Sequence, residues 1–250
     1  MSLSEELKRQ FGWREWPRIL GELPPLRGRT VLDRGCGVGD QAAELAARGA
    51  RVVGIDGNEE LLREARSRRL RDAEFLGADL RSIPDLGLAA DGIWCSFAAA
   101  YFPDLPAAMA GWGRHLRPGG WIAVTEIDDL FGHEPLGPGT RSLLDAYARE
   151  ALAAGRYDFH MGRKLRGHLV ASGFQVSKEL VLEDRELSFA GPALPEVVDA
   201  WRSRFERMRL LRDFCGSAFD GMRDEFLACL TLPGHRSTAR VCFCLANRIS

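Results

Sequence analysis

Hydrophobic and polar positions along this chain switch between two periods. Residues 30–33, 51–55, 73–76, 92–96 and 121–127 are short β-type runs. Between them, at 41–48, 59–70 and 105–116, apolar positions recur every three to four residues, the spacing of a helix face. Strands alternating with helices predict a mainly parallel sheet with right-handed crossovers. Leu116-Arg117-Pro118-Gly119-Gly120 reads as a turn before the fifth strand, and residues 131–139 as a loop rich in glycine and proline. Helices are expected at 140–154 and 164–172, the latter closed by Gly173, with strands at 174–183 and 239–246. Residues 193–231 form a helical stretch between those strands. At the other end, residues 3–22 predict an amphipathic helix with Leu3, Leu7 and Phe11 on one face, disturbed at Pro17. Its Trp13 and Trp16 either pack on the domain or close over a ligand.

The stretch that organises the chain is Val31-Leu32-Asp33-Arg34-Gly35-Cys36-Gly37-Val38-Gly39. A strand ends at an acidic residue, three glycines follow at alternate positions, and a helix starts. Glycine permits the tight turn and lets a ligand approach the bare backbone, while the new helix offers unpaired N–H groups. A plain structural turn is the competing reading. The next strand ends at Asp56-Gly57, 23 residues beyond Asp33, where a carboxylate can accept both ribose hydroxyls of a nucleotide-like ligand. Gly77-Ala78-Asp79-Leu80 follows the third strand. Asp79 is placed to accept from an adenine amino group, and Leu80 to pack on the ring. Ser96 and Phe97 end the fourth strand at the same crevice.

These motifs, with Leu116-Arg117-Pro118-Gly119-Gly120, resemble those of the class I S-adenosylmethionine-dependent methyltransferases, in particular the small-molecule branch that includes the ubiquinone/menaquinone methyltransferases. The likeness is clear over residues 28–128, weaker over 129–190, where Gly162-Arg163-x-Leu165 and Ala171-Ser172-Gly173-Phe174 carry it, and absent over 190–235. It implies an α/β fold, Rossmann-like, with a doubly wound seven-stranded sheet whose last strand is antiparallel. One domain spans the chain: an N-terminal helical cap at 1–27, the α/β core at 28–190 and 236–250, and a helical lid inserted at 191–235. The implied cofactor is S-adenosylmethionine, with Gly35 and Gly37 against its methionine portion. The candidate cofactor-binding set is Asp33, Gly35, Cys36, Gly37, Asp56, Gly57, Ala78, Asp79, Leu80, Ser96 and Phe97. One residue departs from the family pattern. Arg34 stands where an aliphatic residue is usual, and it is expected to reach solvent or a carboxylate, because a buried unpaired arginine is costly.

The implied reaction is an in-line displacement on a sulfonium, giving O- or N-methylation of a small-molecule acceptor. Positioning is its main lever, and a general base helps when the nucleophile carries a proton. His133 is the first candidate base, since neutral imidazole suits proton removal near pH 7, with Tyr101 and His160 behind it. Tyr157, Glu126, Asp128 and Asp129 lie in the same loops. A binding module that kept the fold without turnover is one alternative. A nicotinamide-dependent oxidoreductase is another, disfavoured because Asp40 stands where G-x-G-x-x-G needs its last glycine. A net charge of −1 gives no general attraction to nucleic acid or acidic membranes. The arginines at 202, 204, 207, 209 and 212 read as a solvated face. No run of eighteen apolar residues predicts a membrane span. Six scattered cysteines, without zinc-ligand spacing, fit a metal-free protein of the reducing cytoplasm.

Overall fold

A computed structural model describes residues 3–81 and 86–249; the first two residues of the expected cap lie outside this range. Seven strands form one sheet: β1 (Thr30–Arg34), β2 (Arg51–Asp56), β3 (Ala73–Gly77), β4 (Ala90–Ser96), β5 (Leu116–Asp128), β7 (Phe174–Leu182) and β9 (Arg240–Arg248). Their order is β3-β2-β1-β4-β5-β9-β7. β9 runs antiparallel to both β5 and β7, while β1 to β5 pair in parallel, so the expected sheet and its antiparallel last strand are present. The order reverses between β1 and β4, where an α/β sheet opens a crevice at its carboxyl edge.

Alternation along each strand divides the core. Val31, Val52, Trp94 and Ala123 face helices α2 (Trp16–Gly21), α3 (Asp40–Ala47) and α4 (Glu59–Ser67). Leu32, Val53, Ile93 and Ile122 face α5 (Leu105–Gly113) and α7 (Leu165–Ala171). Gly92 has a steric reason to be bare: a Cβ there would lie 2.1 Å from the Trp121 ring, which fills that space from β5. The turn expected before β5 is present as a bulge within its first residues: Leu116 pairs with Ala90 and Trp121 with Gly92, and Gly119 between them has φ +71°.

A second layer sits beside the tips of β4 and β5. It comprises α6 (Pro138–Ala153), α8 (Pro195–Arg207), α9 (Arg209–Cys215) and α10 (Phe219–Leu230). A two-stranded ribbon, β6 (His133–Glu134) with β8 (Arg236–Ser237), belongs to it, in a segment whose glycines and prolines suggest only loop. Trp201, Phe205, Phe219 and Phe226 are buried at its centre.

The N-terminal region is two helices: α1 (Leu3–Phe11) and α2, separated before Pro17. The buried side of α1 is its polar Glu6–Gln10 side, whereas Leu3 is exposed. The reason is electrostatic. Glu6 is ion-paired with Arg207 of α8, and on the flank Lys8 and Ser4 bind Glu64 of α4. Helix α1 thus straps the second layer to the core, and Leu7 lies against the Gly35–Gly39 turn, 3.7 Å from where a Gly37 Cβ would be. Glu6→Gln should loosen this strap alone. Amide exchange in residues 3–11 is expected to accelerate on the order of 10-fold while exchange in β1, β4 and β5 stays unchanged; unchanged exchange in α1 would show that its docking does not depend on Glu6.

Candidate active site

The turn after β1 is built from bare backbone. Gly35, Gly37 and Gly39 have φ of +80°, +52° and +80°. A Cβ on Gly35 would meet the Ala98 Cβ at 2.6 Å, so both conformation and space demand glycine there. The Gly35 and Cys36 N–H groups donate to the Ile55 carbonyl at 2.8 and 3.2 Å. The Gly37 N–H donates to Asp56 Oδ2 at 2.9 Å, and the Asn58 N–H to Asp56 Oδ1 at 2.8 Å. Asp56 is thereby fixed by two backbone donors, and each carboxylate oxygen retains a lone pair for a further partner. Cys36 is buried, and burial pushes its thiol up, so it stays a protonated apolar neighbour.

Asp33 ends β1 at 1% exposure, and its Oδ2 has no hydrogen-bond partner among the described residues. Burial, with the charge of Asp56 added, pushes its carboxyl up to about 8. Opposite, Ala78 N–H donates to the Asp56 carbonyl at 3.0 Å beside Gly57, and Leu80 closes to 3.7 Å from the position of a Gly35 Cβ. Asp79 is turned outward, accepting from the Arg81 N–H at 2.9 Å and Nε at 3.1 Å, which hold it below its usual range. Ser96 is buried, and its Oγ has no hydrogen-bond partner among the described residues. Phe97 takes φ +57°, an uncommon conformation for a large side chain, and its ring meets Trp16 edge to face at 6.1 Å.

Around the tips of β4 and β5 the chain gathers a second group. The Arg14 guanidinium lies 4.0 Å over the Phe97 ring and donates through Nε to Asp184 at 2.9 Å. Tyr101 and Tyr157 meet edge to face at 4.8 Å. Tyr101 is 59% exposed, and desolvation and then Glu126 raise its hydroxyl. Glu126 is fully buried, accepts from the Ala100 N–H at 3.0 Å and the Ile127 N–H at 3.2 Å, and is pushed up to about 7 by burial. Arg204 is not on a solvated face: it donates to the buried Glu186 at 2.6 Å, and its charge reaches Tyr101 and Tyr157. Arg14 and Arg204 carry no sequence motif. What marks them is three-dimensional: both are arginines anchored on buried acids, Asp184 and Glu186.

The three expected catalytic residues are not brought together. His133 is fully buried among Phe189, Trp201 and Phe226, with Nδ1 3.0 Å from Nε2 of His235. Burial, then His235, depresses it to about 3. It therefore stays neutral and shielded from solvent, the setting of a core histidine rather than of a base that meets a ligand. His160 is half-exposed, 4.0 Å from Asp128, which is itself bound to Arg163 at 2.6 Å. Of the three, Tyr101 is the most exposed. Arg34 also departs from expectation, since it reaches neither solvent nor a carboxylate: it is fully buried, and none of its three nitrogens has a partner among the described residues. No group of three or more His, Cys, Asp or Glu among the described residues could hold a metal.

Comparison with known proteins agrees with this geometry. A methyltransferase-domain family model matches residues 31–120. Nocamycin O-methyltransferase of Saccharothrix syringae is 35% identical over 189 residues, covering 68% of this chain and 67% of that protein. Trans-aconitate 2-methyltransferase of Azoarcus sp. is 38% identical over 108 residues, covering 42% of each chain, so the matched stretch spans under half of that relative. An S-adenosylmethionine-dependent methyltransferase structure from Mesorhizobium loti superposes with a TM-score of 0.56 at 20% identity, covering 94% of this chain and 97% of that one, and shares the fold.

The residues fit the implied cofactor. The unmatched Asp33 oxygen suits a cation, the free lone pairs of Asp56 suit paired hydroxyls, and the bare turn admits close approach. A pH dependence follows from Asp33. Its carboxyl titrates near 3.8 when unfolded and about 8 when folded, so folding takes up a proton between these values and stability falls as pH rises from about 4 to about 8. Asp33→Asn should flatten that decline in urea midpoints. In the wild type, binding a cationic ligand at pH 7 should release close to one proton, read from calorimetry in buffers of different ionisation enthalpy. Equal heats across buffers would contradict the assignment.

Proposed function

We propose that this chain, which belongs to the class I S-adenosylmethionine-dependent methyltransferases, transfers a methyl group by in-line displacement to a carboxylate oxygen of a small acidic acceptor. The observation that carries the acceptor class is a pair of guanidiniums near the tip of β4: Arg14 lies 4.0 Å over the Phe97 ring, and the charge of Arg204 reaches Tyr101. When bound, S-adenosylmethionine supplies an electrophilic methyl group on a positively charged sulfur. Asp56, locked by Gly37 and Asn58, holds the ribose; Asp33 faces the ammonium group; Leu80 covers the adenine. No described helix is long and apolar enough to cross a membrane, and all six cysteines are free thiols, which accords with a cytoplasmic setting.

A carboxylate acceptor is already ionised at neutral pH and needs no base. That matches a site whose first-choice histidine is sealed in the lid core with its pKa depressed. Tyr101, with its hydroxyl raised, remains a donor and serves to orient the acceptor rather than to deprotonate it. Glu126 is neutralised in part by burial and holds the Ala99–Tyr101 turn through the Ala100 N–H. Positioning the oxygen in line supplies the rate; well-oriented pairs gain roughly 7–11 kcal/mol. Among the relatives, trans-aconitate 2-methyltransferase is named for a polycarboxylate acceptor, which supports the same class here.

The test is methyl transfer from labelled S-adenosylmethionine to matched panels of carboxylic acids, phenols and amines. Label is expected on carboxylic acids alone, released as methanol by mild alkali. Arg14→Met should raise the acceptor KM about 10- to 100-fold, the cost of one charge-assisted contact, with cofactor affinity unchanged. Alkali-stable label on phenols or amines would refute the acceptor class. Cofactor binding without transfer to any panel member would favour a non-catalytic module.

A further inference from the structure

The buried guanidinium of Arg34 has no role in the reaction described above, and its surroundings are unusual. Arg34 projects from β1 on the opposite face to Asp33, beside Leu32 and beneath α5. It is fully buried; Nε, Nη1 and Nη2 lack partners among the described residues. Its guanidinium carbon lies 5.2 Å from the centre of the Trp112 ring. It lines the wall of a cavity of about 420 Å³ whose other walls include Leu80, Phe102, Ala108, Trp112 and Arg114. Burial lowers its pKa only to about 10, so it is charged at pH 7.

The carboxylates bordering this space are committed elsewhere. Asp104 caps α5 by accepting from the Ala107 N–H at 3.0 Å, and Asp79 is held by Arg81 at 3.1 Å. The Cys95 thiol, which would offset the charge if ionised, is pushed up by burial and keeps its proton. A desolvated cation with no counter-ion is costly unless an anion enters with it. We infer that the cavity between β1 and α5 is a second binding site, for a small aromatic carboxylate that pairs with Arg34. The guanidinium offers the planar donor fork that matches a carboxylate. Phe102, Trp112 and Leu80 supply the apolar walls that a flat ring requires. The site is separate from the methyl-transfer cleft, with Leu80 the one residue common to the two.

Calorimetry with benzoate, and separately with inorganic phosphate, tests this on the full chain with and without saturating S-adenosylhomocysteine. Benzoate is expected to bind saturably at one site, undisturbed by S-adenosylhomocysteine, while phosphate gives no saturable heat. Arg34→Leu should weaken benzoate at least about 10-fold. Ala107→Trp, on an exposed position of the cavity wall that leaves the core untouched, should do the same by filling the space. Absence of saturable benzoate heat, phosphate binding of equal strength, displacement by S-adenosylhomocysteine, or full affinity in Ala107→Trp would each overturn the assignment.

Discussion

One hydrogen bond holds the cofactor side of this molecule in shape, from the Gly37 N–H to the Asp56 carboxylate. It ties the turn after β1 to the end of β2, the adjoining strand, and it leaves the acid aimed at the crevice. Glycine is needed because the turn has left-handed φ and because Ala98 stands against Gly35. The rest of the cleft is arranged around that fixed edge. Leu7 from α1 and Leu80 after β3 close on the same turn from two sides. Strain at the neighbouring tips, Phe97 at φ +57° and Asp129 at +58°, lies where the sheet meets the lid layer, the usual place for such conformations to be functional.

Burial then sorts the titratable groups into different duties. Asp33 and Glu126 are both carboxyls lifted by desolvation, but Glu126 is engaged by backbone N–H groups while Asp33 Oδ2 is left open. His133 goes the opposite way, kept neutral in an aromatic core. In the proposed reading, Arg14 and Arg204 orient an acidic acceptor and no proton shuttle is needed. Those arginines are held by Asp184 and Glu186, two acids buried beside them.

The sheet was legible because its signals are local. Period-two runs, glycine turns and alternating helices depend on neighbours a few residues apart, and the strands fall within a few residues of the expected spans. The grouping of the candidate cofactor residues was legible for a related reason: Asp33, Gly35, Gly37 and Asp56 sit at or just beyond the ends of β1 and β2, two adjoining strands, so spacing brings them together. The contacts of the second helical layer were not. Glu6 and Gln10 are polar and read as solvated, yet they face inward because Arg207 lies 201 positions away in α8. Arg204 and Arg207 read as part of a solvated charged face, yet buried Glu186 pairs with the first and buried Glu6 with the second. His133 stood in a segment that looks like loop, and nothing local reveals its pairing with His235 across the β6–β8 ribbon.

The direct trial of this account is a crystal structure of the chain with S-adenosylhomocysteine. It should show both Asp56 oxygens accepting the ribose hydroxyls, the amino acid portion against Gly35 and Gly37 beside Asp33, and the sulfur directed toward Tyr101 and Arg14. Ligand bound elsewhere, or bound in that crevice with Asp56 turned away from the sugar, would contradict it.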